Sequence, residues 1–80
     1  MRILDNASDR ASQAVTLYLT RPEAQELRDS LDALLADESG RRHEHVMDDD
    51  YRKEITVCLY DEADLGHFDA RSQRLIIEDS

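Results

Sequence analysis

The chain has 80 residues, 40% of them hydrophobic, and 19 acidic against 10 basic side chains set its formal charge at −9. That balance excludes an ordinary nucleic-acid binder, which needs a basic stripe to displace counterions from phosphates, and it disfavours anionic membranes on the same electrostatic ground. A single small domain of this size, 1–80, buries only about 60% of the surface its unfolded form exposes, so self-association, a metal or a disulfide is the usual supplement.

A disulfide within the chain is impossible, because Cys58 is the only cysteine. No apolar run is long enough for a signal peptide or a membrane span, which predicts a cytoplasmic protein with Cys58 reduced. Nine of the ten basic residues are arginine, an associational hint of a GC-rich bacterial genome.

Residues 1–13 open with the apolar pair Ile3-Leu4 and continue as the polar, turn-rich DNASDRASQ. This reads as a loose N-terminal arm, with Ile3 and Leu4 able to add a short edge strand. Next comes AVTLYL, 14–19. Val15, Leu17 and Leu19 alternate with Thr16, Tyr18 and Thr20, the period of a half-buried strand.

The following stretch, TRPEAQELRDSLDALLAD from Thr20 to Asp37, is the longest periodic segment. Ala24, Leu27, Leu31, Leu34 and Leu35 recur at three- and four-residue steps, so they share one side of a helix. Thr20 and Glu23 form a capping box, and Pro22 suits the first turn, where an amide hydrogen would have no intrahelical partner. Gly40 fits a left-handed position past the helix end. Asp37 and Glu38 oppose the helix dipole, and Arg41 and Arg42 offset them.

Arg42 to Met47 is a short mixed segment with His43, His45 and Met47 on one side and Glu44 and Val46 on the other. Asp48-Asp49-Asp50 reads as a turn. Tyr51 to Asp61 contains the clearest alternation, with Ile55, Val57 and Leu59 against Thr56, Cys58 and Tyr60. Together these segments predict a hairpin, 42–47 with 52–60. After the acidic connection DEADLG, residues 69–78 read as a helix capped by Asp69, with Leu65, Phe68, Ser72, Leu75 and Ile76 on one side. The fold expected is therefore α+β: a three-stranded, mainly antiparallel sheet in the order β-α-β-β, one amphipathic helix on one face, and a short C-terminal helix.

In that fold the helix leucines lie on Val15, Leu17, Leu19, Ile55, Val57 and Leu59. The opposite face then carries Thr16, Tyr18, Thr56, Cys58 and Tyr60, a composition closer to an interface than to a solvated surface. The C-terminal segment, a second copy or another partner could cover it.

Among chemistry-bearing residues, His43 and His45 would point the same way on a strand, and Asp49 or Asp50 could supply a carboxylate from the turn. This is a set for a divalent transition metal. A buried structural thiol is the expected role of Cys58, since no basic residue adjoins it to lower its pKa. There is no glycine-rich phosphate loop and no serine elbow, so a non-enzymatic protein is expected. The acidic clusters Asp48, Asp49, Asp50 and Asp61, Glu62, Asp64 flank the clearest strand and suit a partner with a basic surface. The expected function is a self-associating protein-binding or regulatory module in which those loops steer a basic partner and Tyr18 and Tyr60 help hold it. A small metal-binding protein is the alternative, and a small-molecule site at Tyr18, Tyr60 and Cys58 is the weakest of the three.

Overall fold

The computed structural model describes residues 1–48, 50 and 52–80. In chain order the elements are β1 (Leu4–Asp5), β2 (Arg10–Ala11), α1 (Arg21–Ala36), β3 (His43–Met47), β4 (Glu54–Cys58) and α2 (Ala70–Glu78). The fold is α+β, as expected. The sheet is not: two separate two-stranded antiparallel sheets, β1–β2 and β3–β4, replace the single three-stranded one. The contacts group into two compact units, Tyr18–Tyr60 and Met1–Leu17 with Asp61–Ser80.

In Tyr18–Tyr60, α1 starts as its residues dictate. The Thr20 hydroxyl accepts the Glu23 amide (3.3 Å), and Glu23 Oε1 accepts the Thr20 amide (2.8 Å), closing the capping box. At the other end Gly40 adopts φ +67°, a left-handed conformation that costs glycine nothing. The Asp37 carboxylate binds the Ser39 hydroxyl and the Ser39 and Arg42 amides, which hold its carboxyl below the usual range. The hairpin forms in the register His43 opposite Cys58, His45 opposite Thr56 and Met47 opposite Glu54. Helix α1 packs chiefly on β3 and less on β4. Leu34 (2% exposed) and Val46 are the buried side chains of this unit, with Leu27, Ile55 and Val57 partly covered beside them.

The helix is rolled relative to the expected stripe. Glu23, Leu27, Ser30, Ala33 and Leu34 are its covered positions, whereas Ala24, Leu31 and Leu35 are exposed. The reason lies in what the helix meets. With only two strands beneath it, its footprint is too narrow to cover the whole leucine arc.

The strand expected at 14–19 is absent. Residues 13–19 form no backbone hydrogen bond among the described residues. Val15 (61%), Leu17 (46%) and Tyr18 (94%) are exposed, as is Leu19. Alternation made the segment suitable for a sheet, but a strand exists only where another strand's edge accepts its backbone.

The other unit contains the N-terminal residues expected as a loose arm. They carry the β1–β2 hairpin, with Leu4 opposite Ala11 and Asp5 opposite Arg10. Its turn uses Asp9 at φ 62°, whose amide donates to the Asp5 carbonyl (2.8 Å). Helix α2 begins at the Asp69 cap, which accepts the Ser72 amide (2.7 Å), and buries Leu75 and Ile76. Arginines tie hairpin to helix. Arg2 Nε donates to the Ile76 carbonyl (2.9 Å), Arg71 pairs with Asp9 (3.0 Å), and Arg74 donates to the Asp9 carbonyl (3.3 Å).

Candidate functional site

Pleating decides what the β3–β4 hairpin shows to solvent. With Val46, Ile55 and Val57 turned to α1, the opposite face presents His43, His45 and Met47 from β3 and Glu54, Thr56 and Cys58 from β4. Tyr18 and Tyr60 do not join it, because neither lies in a strand. Tyr18 is almost fully solvent-exposed and Tyr60 is half-buried.

On this face the two histidine rings meet edge to face, their centroids 5.0 Å apart. His45 Nδ1 lies 2.8 Å from Glu54 Oε1 and 2.9 Å from Thr56 Oγ1, and the Thr56 hydroxyl donates to the same Glu54 oxygen (2.9 Å). The Thr56 hydroxyl first, and His45 second, hold the Glu54 carboxyl below the usual glutamate range. A carboxylate on Nδ1 orients the imidazole and leaves Nε2 as the nitrogen available to a proton or metal ion. Glu54 was not among the residues singled out from sequence. It is found only by working out the hairpin register, which sets it diagonally across from His45.

His43 and His45 are thus brought together as expected. The carboxylate ligand proposed for them at Asp49 lies outside the described residues. Among the described residues, no three His, Cys, Asp or Glu side chains come together as a potential metal site. Cys58, opposite His43, lies on the exposed face and is not the buried thiol expected; partial desolvation pushes its thiol pKa up.

The acidic clusters divide by role. Asp48 organises the hairpin turn: its Oδ1 accepts the amides of Arg52 (2.7 Å) and Lys53 (3.1 Å), which keep its carboxyl below the usual range. Asp50 is exposed. In the second cluster Asp61 Oδ1 accepts the Ala63 amide (2.9 Å), and the Asp64 amide donates to the Asp61 carbonyl (2.9 Å). Asp61, Glu62 and Asp64 are all exposed. Asp48 and Asp50 belong to Tyr18–Tyr60, and Asp61–Asp64 to the other unit.

In that other unit, His67 has both ring nitrogens buried with no hydrogen-bond partner among the described residues, and its ring stacks at 4.2 Å on Phe68. Nothing in the local sequence marks this burial. No helix among the described residues is long and apolar enough to cross a membrane. No family model, curated protein or solved structure matches the chain.

Proposed function

We propose that the chain is a non-enzymatic, cytoplasmic protein-binding module that self-associates and uses its acidic turns to engage a basic partner. The exposure of Tyr18, Leu31 and Leu35 within Tyr18–Tyr60 carries this proposal. Apolar surface of that kind, on a chain too small for a large core, is characteristic of a protein that meets other proteins. The carboxylates of Asp50, Asp61, Glu62 and Asp64 stand exposed on a chain of charge −9, and a field of that sign raises the encounter rate with a basic surface.

The test is retention by the immobilised chain along a salt gradient. Partners held by carboxylates release progressively as salt rises, and the triple variant Asp61→Asn, Glu62→Gln, Asp64→Asn retains far less at low salt. Retention indifferent to salt and to this variant would refute the electrostatic half of the proposal.

Metal binding is the second reading, supported by His43 and His45 on one exposed face with His45 oriented by Glu54. Such a site raises the melting temperature on adding zinc or nickel, and the rise vanishes in His43→Ala/His45→Ala. No shift in the parent chain would remove it.

A further inference from the structure

The unit made of Met1–Leu17 and Asp61–Ser80 holds an open cleft of about 520 Å³, lined by Ser8, Asp9, Arg10, Arg74 and Ser80. The β1–β2 hairpin supplies Ser8, Asp9 and Arg10, and α2 supplies Arg74. Arg71 and Arg74 stand one turn apart on α2 and so reach the same residue, Asp9. Arg71 neutralises the Asp9 carboxylate at 3.0 Å. Arg74 gives a single donor to the Asp9 carbonyl, at 3.3 Å, and has no carboxylate partner among the described residues.

The Arg10 side chain makes no hydrogen bond or ion pair among the described residues. Asp5 lies opposite it in the hairpin, but the Asp5 carboxylate is engaged by the Ala7 amide (2.9 Å) and the Ser8 hydroxyl (3.0 Å). Two guanidinium groups without a carboxylate partner therefore share one cleft, on a chain of formal charge −9.

We propose that this cleft binds the phosphoryl group of a small molecule, with Arg10 and Arg74 as its two clamps. A guanidinium is planar, always charged, and presents paired N–H donors that match two oxygens of a phosphate. The volume lies within the range of small-molecule sites, about 300–1,000 Å³, and leaves room for the group that carries the phosphate. A polyanion is disfavoured, because beyond the cleft it meets the net negative charge of the chain. A small anion sits against the guanidiniums, and carboxylates farther off than the Debye length of about 8 Å are screened from it. The site is independent of the basic partner and of the His43–His45 pair.

The test is titration of pyrophosphate, and separately of methyl phosphate, into the isotope-labelled full-length chain at constant ionic strength, read by the arginine Nε–Hε NMR signals. The Arg10 and Arg74 signals move and saturate with both probes, whereas those of Arg21 and Arg28 in the other unit stay in place. Sodium acetate does not reproduce the effect. Arg10→Gln weakens binding about tenfold, the loss of one charge-assisted contact. Because Arg10 holds no other side chain, this variant keeps its circular dichroism and melting temperature, so the loss is not one of folding. Arg74→Gln weakens binding similarly.

Shifts that rise without saturating, that acetate reproduces, or that appear equally at Arg21 and Arg28 would mark an adventitious ion only and overturn the proposal. Binding that survives Arg10→Gln at full strength would overturn it as well.

Discussion

Leu34 and Leu35 are neighbours in one helix with opposite environments, and replacing each by alanine tests the roll of α1 directly. Leu34 is 2% exposed and Leu35 is 74% exposed. The substitution deletes three carbon groups, worth ~0.8 kcal/mol each when fully buried, or ~2.4 kcal/mol at Leu34 before the cavity is counted. Incomplete collapse around the cavity raises this to about 3 kcal/mol. At Leu35 only about a quarter of the side chain is covered, so the same deletion costs ~0.6 kcal/mol. Both variants place alanine at adjacent positions of α1, so the helix-propensity gain largely cancels in the comparison.

The assay is urea unfolding followed by circular dichroism, at a chain concentration low enough that the midpoint no longer depends on it. For a domain this small the denaturant slope is about 1 kcal/mol per molar. Leu34→Ala then lowers the midpoint by roughly 3 M, or unfolds the chain outright, and Leu35→Ala by well under 1 M. Equal losses, or a larger one at Leu35, would refute the packing of α1 on β3 described above.

Two further outcomes follow from the local chemistry. His67→Phe keeps the ring while removing two buried nitrogens that lack partners among the described residues, so it stabilises by ~1 kcal/mol. The melting temperature rises by roughly 5 °C; a fall would show that the imidazole is satisfied after all. The Asp48 carboxyl titrates below the ordinary aspartate value because it accepts the Arg52 and Lys53 amides. A carboxyl depressed in the folded state contributes stability above the unfolded value, about pH 4, and loses it as pH falls through the folded value. Carbon-detected NMR titration of Asp48 measures this, and an ordinary midpoint would refute the turn geometry.

What the amino-acid sequence determined by itself was short-range. The Thr20–Glu23 capping box, the Asp69 cap, the left-handed Gly40 and the alternating faces of His43–Met47 and Glu54–Cys58 depend on residues a few positions apart. Their stereochemistry is largely specified before any distant part of the chain arrives. Three things were decided only in the tertiary structure. Residues 14–19 have the alternation of a strand, yet a strand's hydrogen bonds belong to its neighbour, and no local pattern names that neighbour.

The leucines of α1 span an arc wider than the surface beneath them, so the packing of two strands chose Leu34 for the core and left Leu31 and Leu35 outside. The third is pairing at long range. Arg71 with Asp9, and Arg2 with the Ile76 carbonyl, join residues more than sixty positions apart. Glu54 reaches His45 only because the hairpin turn sets their register. Periodicity tells each side chain which way to face. What it meets there depends on backbone edges and charges brought in from elsewhere in the chain.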